Sequence, residues 1–173
     1  MIDVHILLMG DENKTLLTEC LKSLENEPVK LHYVKGIYGN PEKARVRAMS
    51  MGTSEYVGWV DPDDYTIPGS YRKLLETNAP FAWMNELVMD VRENDMYTPI
   101  NQHISTLPHH IHIIHRDILD TTLLENTKGD PFPFLKQMMR THGSIHIPET
   151  GYVWRNYFSA SKKVLRNVTT RSN

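Results

Sequence analysis

Apolar and polar positions over the first sixty residues alternate between strand and helix patterns. Val4-His5-Ile6-Leu7-Leu8-Met9 is a continuous apolar run of the kind a strand covered on both faces shows. Gly10-Asp11-Glu12-Asn13 breaks it. From Lys14 to Leu24 apolar residues recur at Leu16, Leu17, Cys20, Leu21 and Leu24, one stripe of a helical period, which predicts an amphipathic helix packed on the sheet. A second strand is expected at Leu31 to Val34, a loop from Gly36 to Pro41, a second helix from Glu42 to Met51, and a third strand at Tyr56-Val57-Gly58-Trp59-Val60. Successive β-α steps imply a parallel sheet with right-handed crossovers, and such sheets bind ligands beyond the carboxyl ends of their strands. Asp61-Pro62-Asp63-Asp64 sits at that edge.

Pro68 suits the first turn of a helix continuing through Ser70, Tyr71, Leu74 and Leu75, with Thr66 as its cap. Beyond it the pattern changes. Ala82 to Val91, a turn at Arg92-Glu93-Asn94-Asp95, and Ile111 to His115 read as antiparallel strands. The expected fold is therefore α/β, with a parallel amino-terminal βαβαβ half and a mixed α+β carboxyl-terminal half. No internal repeat or low-complexity segment interrupts it.

The 173 residues, 40% hydrophobic and 23% charged, have the size and balance of one globular domain. A chain this long buries roughly 70% of its unfolded surface, so stability needs no disulfide or structural metal. Cys20 is the single cysteine, which excludes an internal disulfide and a cysteine-based zinc cluster and suits a reducing compartment. No apolar stretch approaches the roughly 20 residues of a membrane span, and the amino end lacks a signal-peptide pattern. A cytoplasmic protein without membrane contact is expected. The net charge of -2 gives no global attraction to polyanions.

Val60-Asp61-Pro62-Asp63-Asp64 puts three carboxylates in four positions at the end of a buried strand. Their repulsion is costly unless cations or hydrogen-bond donors compensate it. Hard oxygen ligands select Mg²⁺ or Mn²⁺, and Mg²⁺ takes one or two carboxylates together with substrate phosphates. The plainer alternative is a solvated Asp-rich turn in which one Asp caps the next helix.

The surroundings of this motif resemble the family 2 glycosyltransferases of the GT-A fold. Leu21-Lys22-Ser23-Leu24 is similar to the family's Leu-x-Ser-Leu helix end, and Ala44-Arg45 to its Ala-Arg-Asn segment. Glu55-Tyr56-Val57 followed by Asp61-Pro62-Asp63-Asp64 looks like its Gly-x-Tyr-Ile before Asp-x-Asp-Asp, and the interval from Arg45 to Asp61 is the family's. Ile67-Pro68-Gly69-Ser70 is similar to its apolar-Pro-Gly-Ser helix start. Later, Gly129-Asp130-Pro131-Phe132-Pro133-Phe134-Leu135 looks like its Glu-Asp segment and Tyr152-Val153-Trp154-Arg155 like its final aromatic-Arg strand, so the resemblance covers nearly the whole chain. The chain departs from the pattern at Val46, where the family has Asn, at Ala48, and in lacking an acid at the end of the second strand. Asp11 and Lys35 are candidate substitutes for that acid.

The resemblance implies one GT-A domain, with a nucleotide-sugar-binding half at 1–78, an acceptor and catalytic half at 79–158 and a basic tail at 159–173. It implies inverting transfer of a hexosyl or pentosyl group from a nucleoside-diphosphate sugar, here a UDP-sugar, to an acceptor hydroxyl, with Mn²⁺ or Mg²⁺. By the same resemblance Asp63 lies against ribose and metal, Asp64 is a metal ligand, Asp61 shapes the loop or touches the nucleotide, and Asp11 and Arg155 complete the donor site. Arg45 has two open roles, donating to the diphosphate or pairing with an Asp of the loop, and Arg47 the same two from the other side of a helix turn. Asp130 matches the family's base, which needs a raised pKa to take the acceptor proton, and equally suits a cap for the helix starting near Pro131 or Pro133.

His109, His110, His112 and His115 form a second cluster. On a strand His109 and His115 share one face and His110 and His112 the other, and alternation with Ile111, Ile113 and Ile114 favours a half-exposed strand over a zinc site. A functional version places one His near the sugar or acceptor. His142 and His146 are secondary candidates for diphosphate or metal.

From Arg155 onward Arg155, Lys162, Lys163, Arg166 and Arg171 occur with no acid, beside Trp154, Tyr157 and Phe158, which suits either a solvated tail or nucleic-acid contact. The small size resembles phage-encoded enzymes, some of which glycosylate hydroxymethylated DNA bases, so modified DNA is a candidate acceptor. Three alternatives stand beside it: a saccharide-modifying transferase, a GT-A-like module that binds a nucleotide sugar without turnover, and a nucleotidyltransferase. The glycine-rich amino-terminal loop of the last is absent.

Overall fold

The computed structural model describes residues 1–38, 40–92, 95–126 and 131–158. The first half runs as expected. Strand β1 (Ile2–Leu8) leads to helix α1 (Lys14–Leu24), whose first turn is capped by the Asn13 side chain accepting from the amides of Thr15 at 3.0 Å and Leu16 at 3.3 Å. Strand β2 (Val29–Lys35), helix α2 (Pro41–Met49) and strand β3 (Tyr56–Val60) follow. Proline opens α2, where its missing amide is no loss. Both β2 and β3 pair with β1 in parallel, Val4 lying opposite Leu31 on one side and Gly58 on the other.

The second half extends this sheet. Strand β4 (Tyr65–Thr66), helix α3 (Ser70–Glu76), strands β5 (Phe81–Arg92), β6 (Asp95–Ser105) and β7 (His112–His115), helices α4 (Thr121–Glu125) and α5 (Phe132–His142), and strand β8 (Ile145–Phe158) complete the order. The main path across the sheet is β2-β1-β3-β7-β5-β8-β4. Strand β5 pairs with β8 in parallel along one edge from Ala82 to Arg92. Its other edge is shared, β7 taking Phe81 to Trp83 and β6 taking Glu86 onward, both antiparallel.

Strand alternation gives each face its own core. Val4, Ile6, Tyr56, Val60, Ala82, Met84 and Ile113 pack with Cys20 and Leu24 of α1 and Tyr71 and Leu74 of α3. Val57, Trp59, Phe81, Trp83 and Ile114 face Met49 of α2, Leu124 of α4, and Phe134, Leu135 and Met138 of α5. Among the described residues no helix is long and apolar enough to cross a membrane.

Several local expectations change. Thr66 belongs to β4 rather than capping α3, because its amide donates to Ser23 Oγ at 3.1 Å, its Oγ1 donates to Ser23 O at 3.2 Å, and it lies opposite Tyr152. Gly69 at φ 87° takes the cap position instead. Strand β7 begins only at His112 and is buried rather than half-exposed, Ile113 and Ile114 being covered by the two cores. Residues 93 and 94 of the expected turn lie outside the described residues, but Arg92 and Asp95 pair across it.

Gly52 is required by geometry. Its φ is +78°, and a Cβ there would collide with the Asp3 carboxylate. Gly52→Ala is expected to lower the unfolding free energy by about 1–3 kcal/mol, read from urea denaturation.

Candidate functional site

The strand ends named by the sequence surround a cleft of about 590 Å³. Leu7 and Met9 come from the end of β1, Asp11, Glu12 and Asn13 from the start of α1, and Pro41 and Arg45 from α2. Asp61, Pro62 and Asp63 follow β3, and the far wall is His109, His110, Pro131 and Trp154. The volume lies within the range of small-ligand sites.

Asp61 is the most tightly held carboxylate in the cleft. Arg45 Nη2 donates to Oδ1 at 3.1 Å, and His110 Nε2 stands 3.4 Å from Oδ2. The Asp61 amide donates to the Tyr152 hydroxyl at 3.2 Å. Burial works against its charge, but the Arg45 guanidinium and His110 hold its carboxyl well below the usual carboxylate range. Arg45 itself is 9% exposed and lies over the Trp59 ring at 5.4 Å.

Asp63 differs. It lines the cleft and has no ion-pair partner among the described residues. Burial, then the neighbouring charge of Asp61, raises its pKa. Asp64 turns inward, 1% exposed, accepting from the Tyr152 hydroxyl at 3.0 Å and the Arg155 amide at 2.7 Å. Burial raises its pKa well above the usual value.

His110 joins this loop to the second half of the sheet. Its Nδ1 is 3.1 Å from Oε2 of the fully buried Glu86, and its own amide donates to the same carboxylate. Burial opposes protonation, but hydrogen bonds to Asp61 and Glu86 push the imidazole up to about 10. His109 beside it is pushed down to about 4 by burial and by the charge of His110. The two neighbouring imidazoles are thus shifted in opposite directions.

The structure brings Asp11, Arg45, Asp61 and Asp63 into one cleft and leaves Asp64 and Arg155 outside its lining. Arg155 instead braces the acidic loop, donating to Asp63 O at 2.7 Å and Glu19 Oε2 at 2.5 Å, with its guanidinium 4.8 Å over Tyr65. Arg47 donates to the Lys35 carbonyl, and Lys35 does not line the cleft. The histidines separate. His110 stacks on Tyr152 with ring centroids 5.0 Å apart, whereas His112 lies in the opposite core against Trp59 at 4.2 Å. The shared face expected of these two fails because the chain reaches extended β7 geometry only after His110. His146 stacks on Trp83 at 3.8 Å and bonds to Asn85, away from the cleft, and His142 ends α5. Asp130 and the basic residues beyond Phe158 lie outside the described residues.

Glu12, Asn13, Glu86 and Tyr152 belong to the cleft or its supports, and the sequence alone does not mark them as such. Glu12 and Asn13 looked like a strand-to-helix break, and Glu86 is one acid within an apolar run. Asp61, Asp64 and His110 bring candidate ligand atoms within 4.8 Å of one another, as do Glu86, His109 and His110, but a His110 ring protonated between Asp61 and Glu86 has no lone pair for a metal, which leaves the carboxylates as the ligands. Carboxylate oxygens in this density fit a hard divalent cation, and Asp63, which has no ion-pair partner among the described residues, adds a further acceptor at the cleft.

No family model and no curated protein matches the sequence. Solved structures do. Staphylococcus aureus TarS 1–349 in complex with UDP-GlcNAc superposes with a TM-score of 0.59 at 14% identity, over 91% of this chain and 59% of that one. The same fragment in complex with UDP gives 0.57 at 15% identity, over 89% and 60%. A longer TarS structure gives 0.57 at 14% identity, and this chain spans 36% of its length. The chain has a mixed α/β fold with a curled mixed sheet and parallel amino-terminal strands, similar to the GT-A glycosyltransferase fold of TarS.

Proposed function

We propose that this chain is a metal-dependent, inverting glycosyltransferase that moves a sugar from a UDP-sugar to an acceptor hydroxyl. The observation that carries this reading is the cleft at the carboxyl ends of β1 and β3, where Arg45 and Asp61 form a fixed pair and Asp63 stands open. Support comes from the same fold in TarS structures holding UDP-GlcNAc and UDP.

The cation, Mn²⁺ or Mg²⁺, would be held by Asp63 with Asp61. When bound, it would spread the negative charge that develops on the departing diphosphate. The chain's own residues do the remainder. Arg45 and His110 fix the Asp61 carboxylate from two sides, so its free lone pairs keep one direction. Asp11, Glu12 and Asn13 bound the cleft beyond β1. His109, whose burial favours the uncharged ring, offers a hydrogen-bonding edge toward a sugar or acceptor hydroxyl. Asp130 takes the acceptor proton as the hydroxyl oxygen attacks the anomeric carbon and the nucleoside diphosphate leaves.

The proposed acceptor is a hydroxymethylated DNA base, as for a phage enzyme, because the chain's basic, aromatic end continues from Trp154, which lines the cleft. The test is transfer of labelled sugar from UDP-sugars to DNA containing hydroxymethylcytosine, with saccharides in parallel. Labelled DNA and released UDP support the acceptor, and labelled saccharide alone replaces it. Asp130→Asn is expected to leave UDP affinity unchanged and to lower transfer by 10² to 10⁴-fold. Normal turnover in that variant removes Asp130 from the base role.

A second reading is a module that binds a nucleotide sugar without turnover. One observation favours it: every carboxylate oxygen of Asp61 and Asp64 already faces a protein donor or cation. Metal-dependent UDP binding with no transfer to any acceptor and no sugar hydrolysis would establish it.

A further inference from the structure

Glu86 is a carboxylate at 0% exposure in the middle of β5, with no Lys or Arg paired to it among the described residues. Burying such a charge is costly unless it is matched by donors. The match is local to one turn of chain. The amides of His110 and Ile111 donate to Oε1, the latter at 3.3 Å, and His110 Nδ1 lies 3.1 Å from Oε2. The opposite ring nitrogen, Nε2, lies 3.4 Å from Asp61 Oδ2. The ring thus stands between two carboxylates, one facing each nitrogen.

The ring has little freedom to do otherwise. Its side chain is 3% exposed, stacked on Tyr152 at 5.0 Å and 10° and close to Trp154 at 5.1 Å. Tyr152 in turn touches the acidic loop at Asp61 and Asp64. A buried carboxylate from the second half of the sheet is thus linked, through one ring, to the carboxylate that the first half presents in the cleft.

We propose that Glu86 and His110 are a positioning pair for Asp61. Glu86 orients the ring, and the ring sets the direction of the Asp61 carboxylate toward the donor diphosphate and its cation. The inference rests on the donor-site reading and deepens it. Neither residue touches the reacting atoms; both act through Asp61. Groups that orient a ligating side chain in this way change metal affinity or activity by about 10–100-fold when altered.

The alternative is that His110 only fills space beside Tyr152. Two variants separate the cases because they reverse the order of effects. His110→Gln keeps an N–H donor toward Asp61 and loses the ring, whereas His110→Phe keeps the stacked ring and loses every donor. The probe is UDP with Mn²⁺, titrated calorimetrically well below each variant's thermal midpoint. The expected order of affinity is the unaltered chain, then His110→Gln, then His110→Phe, the last about 10–100-fold weaker. Should a His110 variant fail to fold, Glu86→Gln carries the test. It keeps a carbonyl for the two amides but removes the charge facing Nδ1, and about tenfold weaker UDP–Mn²⁺ binding is expected.

Binding by His110→Phe at least as tight as by His110→Gln, or unchanged binding by Glu86→Gln, overturns the positioning role and leaves the donor site standing. Absence of UDP binding by the unaltered chain overturns the donor-site reading and takes this inference with it.

Discussion

Asp63→Asn is expected to abolish metal-dependent UDP binding while leaving the fold as stable as before or more so. The two effects diverge because of where this carboxylate sits. Asp63 lines the cleft without an ion-pair partner among the described residues, and both burial and the Asp61 charge work against its ionised form. An amide of the same shape removes that repulsion and no native ion pair. With ligand the balance reverses, since the cation loses its open carboxylate. Altering groups that merely orient a metal ligand costs about 10–100-fold, so loss of the ligand itself is expected to exceed roughly 100-fold in UDP–Mn²⁺ affinity. Calorimetric titration together with thermal denaturation reads both halves. Asp64→Asn is the contrasting case, because Asp64 faces Tyr152 and the Arg155 amide rather than the cleft. If Asp64→Asn removes binding and Asp63→Asn does not, the inward carboxylate is the ligand after all.

Arg116→Ala is expected to lower the unfolding free energy by about 3–5 kcal/mol, the magnitude of breaking a buried ion pair on one side. Arg116 donates to Asp3 Oδ2 and Met51 O at 2.7 Å and to Ser54 O and Met49 O at 2.6 Å. It thereby ties the turn after α2 to the start of β1. Asp3, at 0% exposure, also accepts from the Ser54 amide at 2.7 Å, Ser54 Oγ at 3.0 Å and His32 at 2.9 Å. Truncation leaves that carboxylate without its guanidinium and three carbonyls without a donor. Arg116→Lys recovers part of the loss at most, since a compact ammonium cannot serve four acceptors in a fork.

The pH dependence carries the same signature. Burial alone would raise the Asp3 pKa, but His32, Arg116 and Ser54 together lower it from 3.8. A depressed carboxylate contributes stability that is present above its unfolded pKa and lost as pH falls through the folded one. The gap between the unaltered chain and Arg116→Ala is therefore expected to be full at pH 7 and to narrow below about pH 3.8, the unfolded value. A gap that widens in acid would contradict this assignment.

How much of this was legible in the sequence depends on whether the pattern was local. Strand β1 ends in the apolar run Ile6-Leu7-Leu8 and helix α1 carries a regular stripe, and the parallel half follows from them. The cleft's acidic loop was legible for the same reason, because Tyr56 to Val60 announces a buried strand that ends at Asp61. Strand β6 carries no such mark. Its sequence, Asp95 to Ser105, is largely exposed at the sheet margin, and Tyr97, Ile100 and Ile104 remain half-exposed there, so no buried face marks it. Strand β8 shows in the sequence only at Tyr152 to Arg155, since Pro148 and Gly151 interrupt its 14 residues.

The supports of the site were hidden by distance along the chain. Glu86 reads as a polar position in a half-buried strand until His110, 24 residues later, folds onto it. His110 itself was placed on a regular strand by alternation, which is the pattern the loop before β7 breaks. Asp3 and Arg116 are 113 residues apart and carry no mutual signal at all. Asp63 and Asp64, adjacent in sequence, differ only because Tyr152 and Arg155 claim one of them.

The most direct test of the donor cleft is a thermal-shift panel with UDP, GDP, CDP and dTDP, each with Mn²⁺, Mg²⁺ or chelator. A ligand at 100 times its dissociation constant adds about 2.7 kcal/mol, which for a chain of this size is a rise of several degrees. The expected result is a rise with UDP and Mn²⁺ or Mg²⁺ that chelator abolishes and Asp63→Asn no longer shows. No rise with any nucleoside diphosphate, or a rise indifferent to chelator, would contradict a metal-dependent UDP-sugar site.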